Sequence, residues 1–425
     1  MLPKLVTEIP GPRSRELATK LRTHESRNVT FIAEDWPVFW ERAEGTNVWD
    51  ADGNRFLDLT SAFGVASLGH TNAAVRAALV AQAGALMHAM GDVHPTAVKT
   101  ELCARLSALT FERWNLGAGK TILGNSGFEA VEAALKTSLL RTGKSGVIAF
   151  AGGYHGLGFG AVAATGLPFF REPFRAQLKD FATFVPFPKD ADALASLRSE
   201  IESALARRDV GCILVEPVQG RGGCIVPPRE FLPMLRAICD AHKILLIADE
   251  IYTGFNRTGA LFACEHFLVT PDIICLGKAL TGGFPLSACV GRADVMDAWP
   301  DSSGEALHTS TFLGNPLGCA MALASLDAHA GPQVAAQVRE RGAKLRAALE
   351  TLNLGAVRGL GLMLGIELAN ADRAIAIVKA ALRAGLLLLA DGPASNVLSL
   401  APPFAIDDAE IAFVTRTLLP FGEEK

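Results

Sequence analysis

An excess of charge of either sign is missing from this chain. Its 425 residues hold 40 Lys and Arg against 44 Asp and Glu, a formal charge of −4. Proteins that bind phosphate backbones or anionic lipid concentrate positive charge, so neither nucleic acid nor a membrane surface is an expected partner. Cysteine pairing signals are missing too. The eight cysteines, at 103, 212, 224, 239, 264, 275, 289 and 319, form no Cys-x-x-Cys and no compact Cys/His cluster, and most lie in apolar runs. They read as reduced, buried thiols, and no metal site is expected. No period of 20–50 residues repeats, which excludes a solenoid. Residues 1–22 carry Glu8, three prolines and scattered Lys and Arg with no apolar segment, so they are not expected to be a signal peptide, and a cytoplasmic location is expected. Asp, Glu, Lys and Arg are all absent between Lys144 and Arg171. That stretch is long enough to span a bilayer, but seven glycines, Tyr154, His155 and Pro168 interrupt it, and it reads as a strand followed by a buried glycine-rich loop.

Half the residues are apolar and a fifth are charged, enough for a large core and, at about 100–200 residues per domain, two or three domains. Apolar periodicity predicts helices at 72–90, 96–110, 128–141, 229–242, 317–329, 333–350, 372–384 and 408–419. Between them lie short β-rich runs: 146–150, 212–215, 244–248, 273–276 and 286–290. Runs without polar alternation imply strands covered on both faces, hence an α/β fold whose mostly parallel sheet is covered by helices. Residues 61–329 are expected to form this large domain, and 330–425 a smaller α+β domain with strands at 362–368, 386–389 and 397–400. Segment 1–60 is assigned to the smaller domain, although its hairpin, Val48 to Phe56 around Asp52-Gly53, fits either by sequence alone.

Ligands in open α/β sheets bind beyond the carboxyl ends of the strands. Four strand exits carry chemistry: Gly152-Gly153-Tyr154-His155-Gly156, Glu216-Pro217-Val218-Gln219-Gly220, Asp249-Glu250-Ile251-Tyr252 and Lys278-Ala279-Leu280-Thr281. Lys278 follows an apolar strand, where a lysine either snorkels to solvent or sits poorly solvated as a nucleophile. Asp249 either caps the next segment or is a buried anion. Together, amine and carboxylate suit pyridoxal phosphate, whose aldehyde needs a lysine and whose ring nitrogen needs an anionic partner. Asn125-Ser126-Gly127-Phe128-Glu129-Ala130 opens an Ala/Leu-rich helix, and such a start cradles phosphate or is an ordinary cap. The glycine spacing is neither G-x-G-x-x-G nor G-x-x-x-x-G-K-[ST], which argues against nicotinamide and nucleotide binding.

These motifs, in this order, resemble the class III, or ω-amino-acid, aminotransferases of the aspartate-aminotransferase fold (fold type I). The likeness runs from Trp49-Asp50-Ala51-Asp52-Gly53-Asn54 and Gly69-His70 to Ala401-Pro402-Pro403, and its most specific part is Ala248 to Gly259 followed by Lys278. The resemblance implies pyridoxal 5'-phosphate as cofactor, with amine or amino-acid donors and keto-acid acceptors. Lys278 is then the Schiff-base lysine and proton shuttle, and Asp249 the partner of the ring nitrogen. Ile251 and Tyr154 lie on the two faces of the ring, Ser126, Gly127 and the Phe128 amide hold the phosphate, and His155, Glu216 and Tyr252 surround the cofactor. Thr311 matches a threonine that reaches the neighbouring subunit's phosphate, so a homodimer is implied. His70, His155 and His308 read as supporting residues rather than metal ligands. Phe63 and Trp36 are candidates for the entrance, against the plainer reading of ordinary core.

Departures from the family pattern bear on substrate. Tyr252 stands where glutamine is common, and its hydroxyl is a candidate for the cofactor's ring oxygen. Leu157 and Ser399 stand where glutamate-binding members carry arginine, and Arg221 where many have glutamate. No Lys or Arg occurs between Gly385 and Thr415. Arg221 is therefore either a solvated loop residue or the replacement carboxylate anchor. Use of glutamate is expected to be poor. An amino-acid or amino-amide racemase or epimerase of the same fold is the alternative activity.

Overall fold

Seven strands between residues 119 and 292 form one sheet: β1 (Gly119–Gly124), β2 (Gly146–Phe150), β3 (Ala182–Val185), β4 (Val210–Val215), β5 (Leu245–Asp249), β6 (Ile273–Leu276) and β7 (Ser287–Arg292). Their spatial order is β1-β7-β6-β5-β4-β2-β3. All neighbouring pairs from β6 to β3 are parallel, and β7 runs antiparallel to both β6 and β1. Strands β2, β4, β5 and β6 are buried along their whole length, which is why their sequences show no polar alternation. Successive side chains feed opposite cores. Cys212 and Leu214 pack with Ala130, Val131 and Ala134 of the helix Gly127–Thr142, whereas Ile213 and Val215 pack with Leu232, Leu235 and Ile238 of the helix Phe231–His242. Each such aliphatic burial stabilises by roughly 1.5–3 kcal/mol. Parallel pairing has a geometric consequence: the carboxyl ends of β2, β4, β5 and β6 share one edge, and the four exits read from sequence leave from it.

This computed structural model describes residues 1–28, 30 and 36–422. The sheet belongs to the unit Ala73–Ala335, and a second unit joins Met1–Asn72 to Ala336–Lys425. The divisions thus fall at 72/73 and 335/336, against expected boundaries at 60/61 and 329/330. The hairpin of Asn47–Asp50 and Arg55–Asp58 lies in the second unit, where the Asp50 carboxylate accepts the N–H groups of Asp52 and Asn54 and shapes the turn. Met363–Glu367 and Val397–Leu400 pair antiparallel there, and the helix Asp408–Leu418 is capped by Asp407 and Glu410 bonding each other's N–H.

Two helices of more than ten residues lie beyond the expected set among the described residues. Pro12–His24 is capped by the carboxylate of Asp52, which accepts from the N–H of Arg13 and Ser14, so its start signal lies far along the chain. Ala193–Arg207 buries only Leu197, Ile201 and Ala204, a stripe thinned by serines. The helix expected over 72–90 is shorter, Ala73–Ala85, because the following carbonyls serve side chains: Gln82 donates to Leu86, Asn315 to Met87 and Lys99 to Gly91. No helix among the described residues is long and apolar enough to cross a membrane.

Candidate active site

Strand β1 leads into Asn125-Ser126, and Ser126 is the extended N-cap of the helix Gly127–Thr142. Glu129 turns back so that its carboxylate accepts the N–H groups of Asn125 and Ser126. The Ser126 hydroxyl is buried and has no partner among the described residues. A buried hydroxyl at a helix N-terminus, where unpaired N–H groups and the dipole favour an anion, is chemically incomplete until an acceptor arrives. Gly127 permits the close approach: a Cβ there would lie 3.1 Å from the side chain of Ile251.

Strand β5 ends in Asp249, which is buried. Its Oδ1 accepts the Ile251 N–H at 3.1 Å, and its Oδ2 lies 2.8 Å from His155 Nδ1. His155 is buried as well, and its backbone N–H donates to Thr165 Oγ1 at 3.1 Å. A carboxylate only accepts, so Nδ1 is the ring nitrogen that donates to Asp249 and orients it. Glu216, leaving β4, ties two loops together by accepting the N–H of Tyr154 at 2.9 Å and of Gly220 at 3.0 Å. Burial pushes its carboxyl up to about 7, with Asp249 adding to the rise and His155 opposing it.

Lys278, leaving β6, has φ of 45°, a left-handed conformation that costs a non-glycine residue about 1 kcal/mol. The turn is held by Leu280 N–H donating to Gly277 O at 2.9 Å and by Ser325 Oγ donating to Ala279 O at 2.9 Å. Lys278 Nζ lies 4.0 Å from the ring centroid of Tyr252. The Arg221 guanidinium is 5.0 Å from the Tyr154 ring and 5.1 Å from the Phe170 ring. Gly127, Phe128, Tyr154, His155, Leu157, Glu216, Arg221, Asp249, Ile251, Tyr252 and Lys278 line one pocket of about 430 Å³.

His329 closes the helix Pro316–His329 that braces this turn. It is buried beside Phe255, and burial, reinforced by the Arg257 cation, lowers its pKa to about 3. The fold therefore accepts the neutral ring, whereas the unfolded chain protonates near the ordinary 6.5. Stability is fully present above pH 6.5 and is lost as pH falls below it, by about 1.4 kcal/mol per pH unit. His329→Gln removes this proton from the balance. Its deficit relative to wild type, measured by urea unfolding, is expected to narrow by about 2 kcal/mol between pH 6.5 and 5.

Other residues singled out from sequence belong to further elements of the two units. Phe63 and Trp36 belong to the second unit; Phe63 is exposed, within a left-handed run from Ser61 to Gly64. Ser399 is buried in that unit's strand Val397–Leu400. Thr311 is exposed, beside Ser310, whose Oγ accepts from Asn125 Nδ2 at 3.1 Å. His70 pairs with Asp58, and His308 lies 3.0 Å from Lys136 Nζ. Among the described residues no group of three or more His, Cys, Asp or Glu is placed to hold a metal. Phe170 and Thr165 were not foreseen. Both fall in the uncharged stretch read as loop, and neither carries a local motif.

Pyridoxal phosphate fits these residues: the Ser126 hydroxyl, unpartnered among the described residues, is next in sequence to Gly127 of the pocket, and an oriented carboxylate, Asp249, and a lysine, Lys278, line the same pocket. Such a pocket on such a sheet defines a pyridoxal-phosphate enzyme of fold type I. Residues 31–419 match the family described as aminotransferase class-III, and the chain belongs to that family. It is 37% identical over 403 residues to the 4-aminobutyrate aminotransferase GabT of Escherichia coli (strain K12), covering 89% of this chain and 92% of the relative. It is 40% identical over 389 residues to the acetylornithine aminotransferase of Xanthomonas campestris pv. campestris, covering 88% and 90%. Among solved structures, a PLP-bound amine transaminase from an uncultivated Pseudomonas species matches with a TM-score of 0.85 at 29% identity, covering 93% of this chain and 96% of the other. The protein is a PLP-dependent aminotransferase, and nothing in these relatives supports the racemase alternative.

Proposed function

We propose that this aminotransferase works through Lys278 and Asp249 and prefers neutral amines and monocarboxylates to glutamate and 2-oxoglutarate. Bound pyridoxal phosphate supplies the electron sink that makes the donor's carbon–hydrogen bond acidic. The protein's residues do the rest. Lys278 Nζ would hold the cofactor, give way to the donor amine, and serve as the group that accepts and returns the proton taken from the substrate carbon. Asp249, oriented by His155, would supply the negative charge for the cofactor's ring nitrogen, and Tyr154 and Ile251 would hold its ring. Ser126, Gly127 and the Phe128 amide hold the phosphate.

The observation that carries the substrate preference is the single guanidinium, Arg221, among the described pocket residues, with Leu157 where the family pattern supplies a second cation. A dicarboxylate must leave one charge poorly paired, and an unpaired buried charge costs several kcal/mol. Alanine formation from pyruvate is expected to exceed glutamate formation from 2-oxoglutarate by at least about tenfold in kcat/KM across a panel of amine donors, roughly 1.4 kcal/mol. Equal rates would overturn the preference, and inversion of one enantiomer without any acceptor would favour the racemase. Arg221→Leu is expected to raise KM for the keto acid while leaving a simple amine donor little affected. Losses equal for charged and neutral substrates would remove Arg221 from this role.

The enzyme is further proposed to be a homodimer in which Thr311 reaches the partner's phosphate site. Exposed Met87, Met90, Val93, Leu307 and Phe312 support this, because the two segments carrying them are tied by the bond from Thr309 to Asp92 and the ring contact of His88 with Phe312. Eight free thiols fit a reducing, cytoplasmic compartment.

A further inference from the structure

The ring of Tyr252 presents its face to the one nitrogen on which the chemistry turns. Lys278 Nζ lies 4.0 Å from the ring centroid, inside the roughly 6 Å within which an aromatic face attracts a cation. The ring is held there by its neighbours. A Cβ on Gly220 would come within 2.5 Å of Tyr252 Cδ1, so the Gly220 backbone packs directly on the ring, and Gly220 is itself pinned through its N–H to Glu216. From the other side, the turn that carries Tyr252 is fixed by the Asp249 carboxylate accepting the Ile251 N–H.

Several other charged groups lining the pocket are held by neighbours of their own. Asp249 is paired with His155, Glu216 accepts two backbone N–H groups, and Arg221 lies against Tyr154 and Phe170. We propose that Tyr252 is a positioning residue for the Lys278 amine: its ring face receives the ammonium form whenever the lysine is not bonded to the cofactor. The inference rests on Lys278 being the cofactor lysine. A lysine that ferries a proton alternates between –NH2, which accepts, and –NH3+, which donates; the ring favours the second form and keeps the nitrogen above the pocket between the two transfers. Glutamine, common at this place in the family pattern, has no π face and offers an amide dipole instead. This ring role stands beside the one read from sequence for the Tyr252 hydroxyl.

The test uses the cofactor-free protein and needs no turnover. Lysines are acetylated with acetic anhydride at pH 7.5, and the rate at Lys278 is read by peptide mapping, with exposed Lys179 as internal reference. Tyr252→Phe keeps the ring and is expected to label within about twofold of wild type. Tyr252→Leu and Tyr252→Gln lose the face and are expected to label roughly fivefold faster at Lys278, the size of effect a cation–π contact supplies, with Lys179 unchanged. At high pH, where lysine amines are neutral in every variant, the rates are expected to converge. Unchanged labelling in Tyr252→Leu, Phe behaving like Leu, or a fivefold difference that persists at high pH and so reports mere shielding, would each overturn the proposal. Failure of the underlying reading shows separately, as borohydride-fixed cofactor on a lysine other than 278.

Discussion

Lys278→Ala is expected to lose turnover by at least about 10⁴-fold while still retaining pyridoxal phosphate, because one substitution removes both the covalent anchor and the proton carrier. The residues that would hold the phosphate lie on other elements. Ser126 and Gly127 belong to the start of the helix Gly127–Thr142, whose cap is built by Glu129 and not by the Lys278 turn. Alanine keeps the Cβ that makes a left-handed backbone costly, so the strain at 278 is unchanged, and Ser325 still holds the turn through Ala279 O. Cofactor retention on a desalting column together with absent product formation checks the prediction. Appreciable turnover in this variant would contradict it.

Asp249→Asn is expected to slow turnover by at least about 100-fold, ~3 kcal/mol of barrier, with the fold intact. An amide at this position still accepts the Ile251 N–H through Oδ1, so the strand exit keeps its shape. Its other atom is an NH2 facing His155 Nδ1, which donates in wild type, and the negative charge opposite the ring nitrogen is gone. An unprotonated ring is a poorer electron sink. Half-reaction rates measured with saturating donor, alongside thermal midpoint and bound cofactor, separate this loss from unfolding. Near-native rates with cofactor bound would remove Asp249 from its assigned role.

The placement of the strand-exit residues was legible because a parallel sheet translates local sequence into a common edge: an apolar run followed by Asp249, or by Lys278, announces both the strand and the residue at its end. The helix start at Gly127 was legible in the same way, through Ser126-Gly127 before an Ala/Leu-rich run. What stayed hidden depends on pairs distant along the chain. His155 and Asp249 are 94 positions apart, and no spacing rule joins them. Asp52 caps a helix that begins at Pro12. Phe170 stacks against Arg221 from inside a stretch that, lacking charge and rich in glycine, reads as loop. Tyr252 was marked for its hydroxyl, since residue type suggests a hydrogen bond; only the position of the Gly220 backbone shows that the ring is turned toward the lysine. Phe63 illustrates the opposite limit: its sequence context singled it out, yet it sits in the second unit, exposed on a left-handed turn that no periodicity announces.

The central claim, that this pocket binds pyridoxal phosphate through Lys278, is tested most directly by reducing the loaded protein with borohydride, digesting it and locating the pyridoxyl group by mass spectrometry. The account predicts one label per chain, on the peptide containing Leu276-Gly277-Lys278-Ala279. A label on any other lysine, or none on a protein that turns over, would contradict it.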